Sequence, residues 1–361
     1  MKPLTAEQRI RGALWGMFVG DALAMPVHWY YDPGAIVRDF GVLKDYQAPK
    51  LHHPSSIMAL ANTGKAGRGS QDGDVIGTVI LKGKKMHWGR ANRHYHQGMQ
   101  AGDNTLNLHC ARVLLRTLNT TGRYDPTDFL RNYVEFMTTE DSHNDTYAES
   151  YHRDFFANFA KGIPAEKCAG AQGHDTASIG GLVGFPPVVF SALGHRSLEE
   201  TTQLALTHMR LTHLSSELER YASELVRVLH QLIQEPPATF APLACATAER
   251  LGFPLTEVLQ KVGADKRNDQ DVVGRWLSSA CYIEHSLPSV LYLAARYEDD
   301  FESALVANTQ VGGDNCHRGA VLGAILGAAL GLEAIPQRWV QGLTAHVALA
   351  EEIDRFCARF T

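Results

Sequence analysis

Three short segments of the chain combine residue types that can do chemistry. Gly20-Asp21-Ala22-Leu23-Ala24-Met25-Pro26-Val27-His28-Trp29 carries a carboxylate, an imidazole and an indole. Gly102-Asp103-Asn104-Thr105 carries a carboxylate and an amide. Gly312-Gly313-Asp314-Asn315-Cys316-His317 carries a carboxylate, a thiol and an imidazole. Taken singly, an Asp or Asn before a helix reads as an N-cap worth about 1 kcal/mol. Taken together, two chemistries are open. In one, Cys316 is a nucleophile with its thiol pKa lowered near a helix start, and Asn104 or Asp103 orients its base. If the segment is helical, the side chains of Cys316 and His317 diverge by about 100°, so His28 suits the base role better than His317. In the other, His28, Cys316 and an Asp hold one Zn²⁺ or Fe²⁺ that turns water into a nucleophile. The spacing matches no compact metal motif. A lone Cys is more often a small buried thiol.

The elements that must position these segments read as helices. Apolar residues recur at three- and four-residue spacing over Glu7–Val19, Thr105–Leu118, Pro126–Thr138, Leu198–Thr207, Ser215–Glu235, Leu243–Leu251, Pro288–Arg296 and Arg318–Leu330. Only Ile76–Leu81 and Val188–Phe190 suggest strands, with buried helix or loop as the open alternative for both. The expected fold is all-α, one domain over residues 1–361, since no linker divides it. Two glycine stripes at i, i+4 spacing stand out: Gly12, Gly16, Gly20, and Gly319, Gly323, Gly327, Gly331. Glycine costs about 1 kcal/mol in a helix interior relative to Ala. Repeating it on one face implies close backbone contact with another helix. Residues 32–75 and 83–104 look irregular, as do the Ser142-His143-Asn144-Asp145 and Gly173-His174-Asp175 segments. Loops of such length are usually functional or disordered.

Composition narrows the function classes. The 361 residues are 45% hydrophobic and 20% charged, with a net charge of −5. This is a globular balance without the basic surface that nucleic acid requires. The start does not read as a signal peptide, and the longest apolar run, 319–332, is shorter than a membrane span of about 20 residues. Six scattered cysteines without a CxxC favour reduced thiols and a cytoplasmic setting. The 17 histidines and 32 glycines point to imidazole chemistry and to tight backbone packing.

In order along the chain, several motifs resemble those of the ADP-ribosylglycohydrolases, a family that includes the dinitrogenase-reductase-activating glycohydrolases and some lens crystallins. Gly16 to Leu23 is similar to the family's opening G-x-x-x-G-D-A-L-G. Thr207-His208 is similar to its T-H. Val311 to Gly331 is similar to its G-G-D-T-D-T with the glycine-striped helix behind it, and Ile335-Pro336 with Trp339 to its I-P-x-x-W. The resemblance implies an all-α orthogonal helical bundle. It also implies hydrolysis of the bond between ADP-ribose and a protein side chain or small acceptor, assisted by two Mg²⁺.

The metal-ligand positions depart from the family's pattern. Its T-D-D falls on Gly102, Asp103 and Asn104, and its last ligands on Asp314, Cys316 and His317. Of six ligand positions, Asp103 and Asp314 keep theirs. The acidic residue after G-D-A-L-G falls on His28. N-G-x-x-M-R-x-x-P is reduced to Ile179 through Pro187 without its Arg. Two Mg²⁺ bring +4, and two carboxylates leave about +2 in a desolvated pocket, which is costly. The sequence therefore predicts that the dinuclear Mg²⁺ centre is absent, replaced by one other divalent ion or by none. It predicts catalytic roles for His28, Cys316, His317 and Asn104. Ligand contacts are expected from Asp21, Trp29, Gly102, Gly312 and Gly313, and residual metal contacts from Asp103 and Asp314. The expected ligand is a small or protein-linked ADP-ribosyl-like group, with no nucleic acid or membrane partner. A non-catalytic, crystallin-like binder is the alternative. His208 is expected to be a buried histidine fixing a helix start.

Overall fold

The computed structural model describes residues 3–58, 75–170, 176–265 and 268–361. The Gly173-His174-Asp175 segment lies outside them. Helices run in chain order over Ala6–Ala24, Pro33–Phe40, Leu106–Thr121, Pro126–Thr138, Ser150–Ala160, Phe185–Ala192, Leu198–Arg210, Ser216–Gln234, Ala241–Arg250, Leu255–Asp265, Asp269–Val272, Ile283–Arg296, Phe301–Gln310, Asn315–Leu330, Gln337–Gly342 and His346–Phe360. Only isolated β-bridges occur among the described residues. The fold is all-α, and one apolar core extends from Ile10 to Cys357.

Both strand candidates are corrected. Val188–Phe190 lies inside helix Phe185–Ala192, which Pro186 and Pro187 start. Proline suits a first helical turn because its missing N–H has no partner there anyway. A short apolar run cannot distinguish strand from buried helix. Ile76–Leu81 is a tight turn with a single bridge between Ile76 and Ile80. The stretch from residue 32 is not wholly irregular either: Asp32 caps helix Pro33–Phe40 through Gly34 N.

The glycine stripes form the axis of the molecule. Helix Ala6–Ala24 starts with a capping box between Thr5 and Gln8. It then runs antiparallel to helix Asn315–Leu330, Gly12 against Gly327, Gly16 against Gly323 and Gly20 against Gly319. A Cβ added at Gly16 would sit 2.0 Å from the Gly323 carbonyl oxygen, and one at Gly20 would sit 2.0 Å from that of Gly319. No side chain fits there. Gly331 ends the helix with φ 81° and still belongs to the stripe, since a Cβ at Gly12 would lie 2.9 Å from its Cα. The antiparallel pairing has a functional consequence. It places the end of the first helix, and so His28, beside the start of the second, and so Asp314.

Candidate functional site

Two buried carboxylates fix the start of helix Leu106–Thr121. The N-cap Thr105 makes no side-chain cap bond of its own. Instead Asp21 accepts from Thr105 N at 2.8 Å, Thr105 Oγ1 at 2.6 Å and Asn104 Nδ2 at 2.9 Å. Asp145 accepts from Leu106 N at 2.7 Å. Free N–H groups at a helix start favour negative charge there. Burial nonetheless pushes the Asp21 pKa up, against the hydrogen bonds from Thr105 and Asn104. Asp21 and Asn104 thus tie two helices together. Asn104 also donates to Phe18 O at 2.8 Å.

The Gly312-Gly313 turn is equally architectural. Both glycines have positive φ, 70° and 68°. A Cβ at Gly312 would lie 2.2 Å from Tyr30 O, and one at Gly313 would lie 1.9 Å from Ser279 O. Gly313 N donates to Tyr30 O, and Trp29 N donates to Gly313 O at 2.8 Å. The buried Arg318 guanidinium clamps the turn through Gly312 O at 2.6 Å, Ser279 O at 2.8 Å and Asn308 Oδ1 at 3.1 Å. These bonds set Asp314 against residues 28–30.

Asp314 stands at the N-cap of helix Asn315–Leu330 but makes no side-chain cap bond. Its carboxylate meets two imidazoles instead. His28 Nε2 is 3.0 Å from Asp314 Oδ1. His317 Nδ1 is 2.8 Å from the same oxygen, without hydrogen-bond alignment. Asp314 Oδ2 has no hydrogen-bond partner among the described residues. The ligand atoms of His28, Asp314 and His317 all lie within 4.8 Å of one another, and all three residues are buried.

The far nitrogens of both rings are also engaged. His28 Nδ1 is 2.7 Å from His96 Nε2, and His96 Nδ1 is 2.8 Å from Asp145 Oδ1. His317 Nε2 is 3.3 Å from Glu149 Oε1 and 2.8 Å from Asn107 Nδ2. If Nε2 is protonated, the Asn107 amide must turn its oxygen toward it. Asn107 is held by Tyr151 OH at 2.6 Å and His152 Nε2 at 3.0 Å. Backbone contacts hold the His28 segment: His53 Nε2 donates to His28 O at 2.8 Å, and His94 Nε2 to Pro26 O at 3.0 Å.

The electrostatics follow from burial and pairing. Burial lowers His28 to about 3, more than Asp314 raises it. Burial also opposes charge on His317, but Asp314 and Glu149 together outweigh it and push His317 up to about 10. Asp314 is held well below the carboxylate range: burial raises it, and His317 and His28 overcome that. For Asp145 burial works the same way, and the attraction and hydrogen bond of His96 prevail, leaving it low.

Trp29 roofs this cluster. Its indole stacks on His28 with ring centroids 3.6 Å apart and meets Tyr95 and Tyr147 edge-on. Its φ is 62°, an uncommon conformation for a bulky residue. Such strain costs about 1–3 kcal/mol and clusters at functional sites. Trp29, Tyr95, Tyr147, Tyr282 and Glu149 help line a cavity of about 330 Å³. Glu149 therefore touches both the cavity and His317. Gly180 leaves room for this: a Cβ there would lie 3.0 Å from Asn107 Nδ2 and from Glu149 Oε2.

The sequence-predicted residues thus divide. His28, Asp314 and His317 come together, with Trp29 over them. Cys316 does not join them. It is fully buried with Ala24, Met25 and Met99, and burial and nearby carboxylates push its thiol far up. A thiolate is not favoured there, so the expected nucleophile does not fit its surroundings. Asp103 faces a separate polar cavity of about 550 Å³ lined in part by Lys84, His109 and His143. Its carboxylate accepts from Gln100 N at 2.7 Å and Asn144 Nδ2 at 2.5 Å. Gly102 and Asn104 line that cavity too. Gly102 has φ 87°, and a Cβ there would lie 2.1 Å from Gly342 O. His208 ends helix Leu198–Arg210 rather than starting one, with Nδ1 3.0 Å from Tyr124 OH. Sequence reasoning missed His96, Asp145, Asn107, Glu149 and Arg318. The irregular 83–104 loop and the Ser142–Asp145 segment pointed to the first two. Nothing pointed to the rest.

Comparison with known proteins agrees with this architecture. No curated protein matches the chain in sequence. A solved structure described as an ADP-ribosylglycohydrolase-related protein complex superposes with a TM-score of 0.62 at 21% identity, over 99% of each chain. At that identity the likeness speaks for the fold. The model of the ADP-ribosylglycohydrolase family matches residues 2–361, so the chain belongs to that family.

Proposed function

We propose that the chain hydrolyses the glycosidic bond of an ADP-ribosyl-like ligand seated above Trp29, with Glu149 as the carboxylate that acts on it and without the family's pair of Mg²⁺. Family membership supports the hydrolase class. The observation that carries the reading is the position of Glu149. It is the only ionisable carboxylate among the described residues lining the aromatic cavity, and it lies 3.3 Å from His317 Nε2.

Glycoside hydrolysis passes through a transition state with positive charge on the sugar. A carboxylate beside the sugar stabilises that charge or takes a proton from the attacking water. The cavity, about 330 Å³, is near the lower end of ligand sites of about 300–1,000 Å³. That suits one sugar and the group beside it, with the remainder of the ligand extending outward. The aromatic walls suit stacking on a ring.

The donor set argues against two Mg²⁺. Mg²⁺ prefers oxygen ligands in octahedral geometry. Asp103 is bound in the other cavity, Asn104 donates to Phe18 and Asp21, Cys316 is packed in apolar surroundings, and His317 presents nitrogen. Turnover of ADP-ribosylated arginine, serine or a free ADP-ribosyl metabolite, lost in Glu149→Gln, is the expected result. Tight ADP-ribose binding with no turnover of any such substrate would instead make the chain a binder.

A further inference from the structure

We propose that His28 Nε2, the Asp314 carboxylate and His317 Nδ1 form a mononuclear site for one divalent transition ion of the Zn²⁺, Fe²⁺ or Co²⁺ class. The site takes the place of the family's magnesium pair. The proposal does not rest on the glycosidic reading, because ion binding is measured without substrate.

Geometry is the first support. The three ligand atoms lie within 4.8 Å of one another. With bonds of about 2.0–2.2 Å, an ion between them requires only small side-chain adjustments. Two imidazoles and one carboxylate suit borderline ions better than Mg²⁺, and they leave positions open for water.

Unmet valence is the second support. Asp314 Oδ2 is buried with no hydrogen-bond partner among the described residues, and His317 Nδ1 meets Asp314 Oδ1 at 2.8 Å without hydrogen-bond alignment. Buried polar atoms are nearly always satisfied, so each exception needs an explanation. One ion held by both residues explains the two together.

The surroundings are the third support. Ligating histidines usually give their other ring N–H to a second group that fixes tautomer and orientation. With an ion on His28 Nε2, the proton sits on Nδ1 and donates to His96 Nε2. His96 Nδ1–H then donates to Asp145 Oδ1. Every nitrogen in that chain has one partner, and each neutral ring carries one proton. On the other side, His317 Nε2 faces Glu149 and Asn107. Asp314 among the ligands and Glu149 beside His317 bring negative charge to the ion's position.

The test is a titration of chelator-treated full-length protein with Zn²⁺ and with Co²⁺, followed by dialysis and metal counting. One ion per chain is expected, with ligand-field absorption from Co²⁺. His28→Gln and His317→Gln should lose retention of the ion, and His96→Gln should weaken it by about 10–100-fold. Circular dichroism checks that each variant folds. If the ligand variants do not fold, the wild-type Co²⁺ protein still decides the matter, because coordinated imidazoles give paramagnetically shifted N–H resonances. The proposal is overturned by any of three results: no stoichiometric ion in the wild type, undiminished retention in folded His317→Gln, or no shifted imidazole resonances. Two Mg²⁺ per chain held more tightly than Zn²⁺ would also overturn it.

Discussion

His28 and His96 are joined ring to ring by a 2.7 Å contact between Nδ1 and Nε2, and Asp145 anchors the far side of His96 at 2.8 Å. The residue that meets Asp314 is thus oriented by residues 68 and 117 positions further along the chain. Removing His96 should leave His28 present but misdirected. His96→Phe should therefore lose ion affinity by at least as much as His96→Gln, which keeps a polar partner. Isothermal titration of both variants with Zn²⁺ checks the ranking, and equal affinity to wild type in both would show that the relay is not used.

Glu149→Gln keeps the shape of the cavity wall and removes its charge. Loss of a general base or charge stabiliser typically costs about 10²–10⁴-fold in rate. Turnover of an ADP-ribosyl substrate should fall on that scale while the melting temperature changes little. Cys316→Ala should retain activity within a few-fold, because the thiol lies among Met25, Met99 and Ala24. A Cys316→Ala variant that folds but has no activity would restore the thiol mechanism.

Much of this arrangement was legible in the sequence, for physical reasons. A stripe of glycines leaves a strong pattern, and Gly12, Gly16 and Gly20 pair with Gly327, Gly323 and Gly319. Asp314 and His317 are three apart and so share a helix face, while Cys316 is turned away by the same helical rotation. The all-α class followed from periodicity. His96, Asp145 and Glu149 sit on irregular segments or at a helix start, where no repeat records which way a side chain faces. Asp103 kept its place in the motif but took other partners, Gln100 N and Asn144, which only packing could reveal.

The glycine stripe gives a stability prediction. A Cβ at Gly16 would overlap the Gly323 carbonyl, so Gly16→Ala must separate the two central helices. Overpacking costs about 1–3 kcal/mol, and contact with rigid backbone belongs at or beyond the upper end. Gly263 is also helical, but a Cβ there meets none of the described residues within 4 Å. Gly263→Ala should be neutral or stabilising by up to about 1 kcal/mol. Urea denaturation of the pair checks the contrast, and equal effects would contradict the close helix contact.

Acid should unfold the protein through wholly or partly buried histidines that are held neutral. Burial lowers His109 and His208 to about 4 and His143 to about 3, against an unfolded value near 6.5. Below pH about 6.5 the unfolded chain binds protons that the folded one refuses, so stability falls with pH. Each such residue contributes a slope of up to about 1.4 kcal/mol per pH unit down to its folded pKa, and nothing above the unfolded one. Urea midpoints at pH 7, 6 and 5 should decline, and His208→Gln should flatten the decline by about one proton's worth. A midpoint constant from pH 7 to pH 5 would contradict this.

The proposed single nitrogen-rich ion site at Asp314 stands in place of a two-magnesium centre. Anomalous scattering from crystals grown with Zn²⁺ and Mg²⁺ together tests it most directly. One zinc peak per chain is expected, bonded to His28 Nε2, Asp314 and His317 Nδ1. Two ions bridged by Asp314 and Asp103, or a zinc peak elsewhere with none at His28, would contradict it.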